Sequence, residues 1–207
     1  MHKNFVSALL PGEKNSKWES DIIHAANTYL QVDLFSTENA FLEQCPLSFY
    51  PGCCLIKLNH FSSMPPLSIY FIMDQKNELY ALTGSRECFE IVNEKVELLL
   101  NMDTLIPYCK FYLGAVEAEE GPFFLIENLG DFDFTEQAEP FHLTAIRKHL
   151  APPLVKPVDN GFKVHTFINY GVYLFEADLS VSCNGNIEIE SEKVAAEFLP
   201  TKVFRME

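Results

Sequence analysis

The sequence lacks the short motifs that identify most nucleotide-binding and catalytic proteins. Its nine glycines are scattered among turns, so they build neither a phosphate-binding loop nor a glycine–serine nucleophile elbow. Its six cysteines show no paired two-residue spacing of the kind that binds zinc or carries redox chemistry. These absences predict a chain that uses no cofactor and holds no metal.

Long apolar runs are also missing. No stretch approaches the length that crosses a bilayer, and the short apolar run near the amino terminus stops at Pro11-Gly12. A secretory signal needs a longer apolar core and a small-residue cleavage site. We therefore expect a cytoplasmic protein that does not bind membranes and whose cysteines are reduced and packed as small apolar residues.

Lysine and arginine are absent between Lys110 and Arg147, and the formal net charge of the whole chain is −14. Acidic residues fill that interval: Glu117, Glu119, Glu120, Glu127, Asp131, Asp133, Glu136 and Glu139. A field of this sign repels phosphate backbones and anionic lipid heads. It predicts no binding of nucleic acid and favours a basic protein partner. The simpler alternative is that the excess acid only keeps the protein in solution.

Periodicity and turn residues divide the chain into strands and helices. Strands are predicted at Cys53–Asn59, Leu67–Met73, Glu78–Leu82, Tyr108–Ala118, Phe123–Glu127 and in a meander over Phe162–Ser191. Helices are predicted from Ser16 to about Gln31, from Arg86 to Asn101, from Pro140 to Leu150 and around Lys193–Phe198. The proline-rich segment Ala151–Pro157 is predicted to be a stiff connector.

These predicted strands follow one another through short turns instead of alternating with helices. Such an order favours an α+β fold with largely antiparallel sheets, three to four helices and a strand meander at the carboxyl terminus. The length of 207 residues suits a single domain over 1–207, in which any division into two lobes would lie near 129–160.

The last hairpin of the meander turns at Asn184-Gly185-Asn186. A slip of one residue would exchange the two faces of the strands, so burial of the apolar residues selects between registers. The apolar pattern predicts a three-residue loop that pairs Cys183 with Ile187 and Val181 with Ile189. In that loop Asn186 would take the left-handed conformation.

Cys88 is the strongest candidate for a nucleophile. If Ser85 caps the helix, Cys88 lies in its first turn, where unsatisfied N–H groups and the helix dipole favour a thiolate. No histidine is near it in sequence, so His60 or His165 would have to approach in the fold as the base. The alternative is that Cys88 is buried beside Phe89 and that His165 is a solvent-facing strand residue.

Two histidines on the predicted Pro140–Leu150 helix suggest a metal pair, but their spacing excludes it. His142 and His149 are seven residues apart, which separates them by about 10.5 Å along a helix. A zinc–nitrogen bond is only about 2.0–2.1 Å long, so the two side chains cannot hold one ion.

The candidate partner-binding residues lie in the acidic interval. Aromatic and acidic residues alternate through Asp131, Phe132, Asp133 and Phe134, and Glu119 and Glu120 add charge upstream. Exposed aromatic rings surrounded by charge can anchor a protein interface. The alternative is that both rings fold back onto the sheet.

Three functions follow from these observations. The leading hypothesis is a non-enzymatic interaction module whose acidic face binds a basic protein. The second is a small-molecule binding domain with an apolar, aromatic-lined pocket between sheet and helix. The third is a cysteine-dependent hydrolase or transferase built on Cys88.

Overall fold

The chain divides after Leu82 into two units, Ser7–Leu82 and Thr83–Glu207. The computed structural model describes residues 10–11, 17–64, 67–119, 121–135 and 138–202. The segment 129–160, where we expected any division into lobes, lies inside the second unit. The predicted class is confirmed: in the residues that the structure describes, four α-helices accompany sheets that are largely antiparallel, with a strand meander toward the carboxyl terminus.

The amino-terminal unit is one sheet with a helix on one face. Helix α1 spans Lys17–Leu30, and the sheet has the order β1-β2-β3-β4-β5. Its strands are Leu10–Pro11, Ala40–Pro46, Cys54–His60, Leu67–Met73 and Leu79–Ala81. The helix packs Ile22, Ile23 and Ala26 against Leu42, Ile56, Leu58 and Phe71 of the sheet. Here the predicted helix and three strands are confirmed, while Ser16, the predicted cap of the helix, lies outside the described residues.

The carboxyl-terminal unit contains helices α2 (Glu87–Lys95), α3 (Leu105–Ala115) and α4 (Pro140–Arg147). Its main sheet has the order β12-β11-β10-β8. Strands β8 and β9 share one edge of β10: β9 pairs with residues 161–165 and β8 with residues 167–169. The strands of this sheet are β8 (Phe124–Ile126), β9 (Leu154–Val158), β10 (Gly161–Tyr170), β11 (Tyr173–Ser182) and β12 (Ile187–Ala196). A small hairpin, β6 (Glu117–Ala118) with β7 (Gly121–Pro122), precedes β8.

The strand predicted at Tyr108–Ala118 is wrong, because most of this segment forms helix α3. The segment is apolar on every side and buried from Tyr108 to Val116, so its periodicity does not distinguish a buried strand from a buried helix. The turn before the helix is held by Asn101, whose Oδ1 accepts from the backbone N–H groups of Asp103 and Thr104, at 2.8 and 3.1 Å; the N-cap residue, Thr104, makes no side-chain cap bond. The preceding helix, α2, ends at Lys95, because the backbone of Val96 is extended, and so it does not reach Asn101 as predicted.

The last hairpin has a three-residue loop of the predicted length, but the loop is Cys183-Asn184-Gly185. Val181 pairs with Ile187, Leu179 pairs with Ile189, and the Ser182 N–H donates to the Asn186 carbonyl at 3.0 Å. The faces are those predicted, because the observed register differs from the expected one by two residues. Gly185 takes the left-handed conformation, with φ +84°, in place of Asn186, since glycine adopts it without steric cost.

Two predictions for the segments that flank the meander are wrong. Residues 154–158 form the edge strand β9 instead of a connector, and an edge position tolerates the missing N–H of Pro157. The chain around Lys193 continues strand β12 to Ala196 instead of forming a helix. Its pairing with β11 continues through two register shifts, which local periodicity does not reveal.

Candidate functional site

The Cys88 thiol is buried in the first turn of α2 and points back into the protein. Its Sγ donates to the backbone carbonyl of Ser85 at 3.0 Å, and Ser85 does not act as the predicted cap, because the N-cap residue is Arg86 and makes no side-chain cap bond. Burial is the main cause that raises the pKa of Cys88, and the Glu87 carboxylate adds to it. The thiol is therefore protonated near neutral pH and is a weak nucleophile.

His165 lies on the open face of the meander, between two carboxylates. Its Nδ1 is 2.9 Å from Asp178 and its Nε2 is 3.3 Å from Glu176. Ser191 donates to the other oxygen of Asp178 at 2.7 Å, which lowers the pKa of that carboxyl together with the bond to His165. Serine, aspartate and histidine thus meet in the wrong order for a catalytic triad, because the carboxylate separates the hydroxyl from the imidazole.

The aromatic rings of the acidic interval pack inward. Phe132 is 2% exposed and its ring centroid lies 5.0 Å from that of Phe134 in a stacked pair. Phe132 belongs to a cluster with Ile126, Ile146 and Leu199, and Phe134 packs against that cluster. The interpretation in which both rings fold back onto the sheet agrees with these contacts, and Phe132 is not on the surface.

Three carboxylates before and between these rings have lysine partners. Lys110, in buried helix α3, pairs with Glu127 and lies 3.6 Å from Asp131. Asp133 pairs with Lys202 at 3.1 Å. Part of the local excess of acid is therefore neutralised by cations that lie at its edge or far along the chain. Of the two upstream glutamates, Glu119 is exposed and Glu120 lies outside the described residues.

A groove with mixed polar and aromatic walls lies between α2 and the hairpin loop. Its volume is about 290 Å³, near the lower end of the range for small-molecule sites. The rings of Phe89 and Tyr112 line it and are almost fully buried. One wall is the exposed face of α2, and the other is the loop residues Asn184–Asn186.

Two long-range hydrogen bonds hold the loop against the helices and so define the groove. The buried Tyr108 hydroxyl donates to the Gly185 carbonyl at 2.7 Å. The Asn93 amide donates to the Asn184 carbonyl at 2.9 Å and to the Tyr108 hydroxyl at 3.2 Å. We call these four residues the clasp. A Cβ atom at Gly185 would lie 2.5 Å from the Tyr108 hydroxyl, so the clasp requires glycine at that position.

Charged side chains along the groove lie on one face of α2. Arg86, Glu90 and Glu94 are exposed and line the groove at intervals of four residues. No ion pair within 4 Å joins any of the three to another residue in the part of the chain that the structure describes. Burial raises the pKa of Tyr112, with a smaller opposing contribution from Arg86, so the tyrosine is neutral at physiological pH.

A second cavity, of about 300 Å³, lies in the amino-terminal unit between α1 and strands β4 and β5. Trp18, Ile22, Met73 and Leu79 supply most of its apolar lining. Its position matches the expected pocket between a helix and a sheet.

Comparisons with protein-family models, with curated proteins and with solved structures found no match. No group of three or more histidine, cysteine, aspartate or glutamate side chains among the described residues is placed to hold a metal ion. No helix in the described ranges is long and apolar enough to cross a membrane. A functional proposal therefore depends on the geometry of the groove.

Sequence reasoning missed this groove, although part of its signal is visible. The spacing of Arg86, Glu90 and Glu94 places them on one helical face from sequence alone. The other wall comes from a loop about 90 residues further along the chain, and nothing local indicates that Asn93 bonds to it. The Asn184-Gly185 pair predicts a turn, but it does not indicate which residues the turn contacts.

Gly185→Ala tests the clasp, with Gly84→Ala as the matched control. Both glycines have nearly the same left-handed backbone, φ +84° and φ +81°, which costs roughly 1–2 kcal/mol for an L-residue. Only Gly185 also meets the Tyr108 hydroxyl at 2.5 Å; the first contact at Gly84 is the flexible Glu117 carboxylate at 3.3 Å. We expect urea denaturation to show a larger loss of stability for Gly185→Ala. Equal losses would contradict the clasp.

Thiol labelling tests the position of Cys88. In the folded protein near neutral pH, we expect an aromatic disulfide reagent to modify exposed Cys183 first and Cys88 far more slowly, with sites assigned by mass spectrometry. Because the pKa of Cys88 is raised, its labelling should increase only when the pH exceeds the pKa of an ordinary thiol. Cys183→Ser should remove the fast phase. Modification of Cys88 before Cys183 would restore the cysteine-dependent hypothesis.

Proposed function

We propose that the chain is a non-enzymatic interaction module whose groove between α2 and the hairpin loop binds a basic segment of a protein partner. The observation that carries this proposal is the arrangement of two carboxylates beside two aromatic rings. Glu90 and Glu94 line the same groove as Phe89 and Tyr112.

This arrangement suits a lysine or arginine side chain. A carboxylate gives a charge-assisted hydrogen bond to the cationic head, which is stronger than a hydrogen bond between neutral groups. The buried rings of Phe89 and Tyr112 form a rigid floor beneath the two carboxylates. The net charge of −14 attracts basic partners from a distance and accelerates their encounter.

The α2 groove is a better site for a basic partner than the loop around Asp131 and Asp133. Those two carboxylates and Glu127 already have Lys110 or Lys202 as partners, so a new cation would have to displace an existing one. The Glu90 and Glu94 side chains are exposed, so a cation can bind them without displacing a cation that is already paired with them.

A second candidate function is small-molecule binding in the cavity of the amino-terminal unit. The specific observation in its favour is the apolar lining by Trp18, Ile22, Met73 and Leu79, with Lys17 and Asp21 as polar groups. Apolar walls with a few polar groups are typical of small-ligand sites. This candidate does not involve the α2 groove, so the two proposals are tested separately.

Binding of a lysine-rich peptide tests the leading proposal. We expect a fluorescent peptide of alternating lysine and serine to bind the protein in an anisotropy titration, and to bind less tightly as salt is raised. The double variant Glu90→Gln/Glu94→Gln should weaken binding by about tenfold, since each exposed charge pair contributes up to about 1 kcal/mol.

The matched control is Glu38→Gln/Glu192→Gln, which removes the same charge from exposed positions outside the groove. It should change the affinity little. If both double variants weaken binding equally, the peptide senses only net charge. Binding that ignores salt, or no binding at all, would contradict the proposal.

A further inference from the structure

We propose that the partner segment is extended and carries an acidic side chain at one end of two basic ones, in the order acidic–x–basic–x–basic. This inference rests on the proposed function and deepens it, because it specifies the segment that the groove accepts. It comes from the charge order of the groove itself: one cation, Arg86, followed by two anions, Glu90 and Glu94.

The three charges are evenly spaced along the groove. The backbone of Arg86 has helical angles, φ −68° and ψ −32°, so the helical path of α2 continues back to this residue. Four residues of helix rise about 6 Å. The charged positions of the groove therefore follow one another at intervals of about 6 Å along one helical face.

An extended chain offers side chains at nearly the same interval. Alternate residues of a strand point to one side and lie about 6.6 Å apart. An acidic residue opposite Arg86 would then place basic residues two and four positions away opposite Glu90 and Glu94. The segment can run in either direction along the groove, so the acidic residue can be the first or the last of the three charged residues.

The size of the groove supports an extended segment over a helix. The groove has a volume of only about 290 Å³, which admits a few side chains and not a whole helix of about 10–12 Å diameter. A row of side chains from one strand fits that space, with the rings of Phe89 and Tyr112 beneath them.

Arg86 makes the order of charges matter. A basic side chain opposite Arg86 is repelled, and an acidic one opposite Glu90 is repelled as well. A partner that carries only positive charge therefore satisfies two of the three positions. Arg86 is in this sense a specificity-determining residue, which discriminates among basic partners.

Peptides of one composition and different order test this inference. We would compare capped peptides Glu-Ser-Lys-Ser-Lys and Lys-Ser-Lys-Ser-Glu with Lys-Ser-Glu-Ser-Lys, which has the same charge but a central acid. In anisotropy competition, at least one of the two end-acid peptides should bind about fivefold more tightly than the central-acid peptide, as expected from exposed charge pairs. Arg86→Gln should reduce this preference, and Arg86→Glu should favour an all-lysine peptide.

The outcomes separate this inference from the proposed function. If all three peptides bind equally but depend on Glu90 and Glu94, the inference is wrong and the proposed function stands. The same holds if Arg86→Gln leaves the order preference unchanged. If no peptide binds, both are wrong. Circular dichroism of each variant would confirm that the fold is retained.

Discussion

A buried hydroxyl group fixes the last hairpin loop of the carboxyl-terminal unit against α2. Tyr108 donates to the carbonyl of Gly185, a residue 77 positions later, and Asn93 supports both Tyr108 and the loop. A buried donor left without its acceptor would cost about 1–3 kcal/mol. The hairpin loop is therefore held beside α2, and the groove exists because these bonds form.

The local parts of the fold could be predicted from the sequence because their signals are local. Alternation in the meander set the faces of β11 and β12, and the steric freedom of Gly185 set where the loop falls within them. Helix α3 could not be predicted, since a segment buried on all sides has no amphipathic period. The turn that leads into it is held by the Asn101 side chain, which accepts from the N–H groups of Asp103 and Thr104, and these bonds are visible only in the structure.

The candidate site could be predicted even less well, because it depends on contacts between residues that are distant in sequence. A count of charges along the chain suggested an acidic surface between Lys110 and Arg147, but it contained no information on tertiary partners. Lys110 lies at the edge of that interval in sequence and yet pairs with Glu127 inside it, while Lys202 reaches Asp133 from the end of the chain. The acidic residues that line the groove instead lie on α2, where helical periodicity alone aligns them with Arg86.

The most direct test of this account is a titration of isotope-labelled protein with the lysine-rich peptide, followed by backbone amide chemical shifts. The account predicts that the largest changes fall on Asn93, Glu94 and Gly185, on both walls of the groove. Changes confined to residues 127–135 would contradict it and return the partner site to the acidic loop.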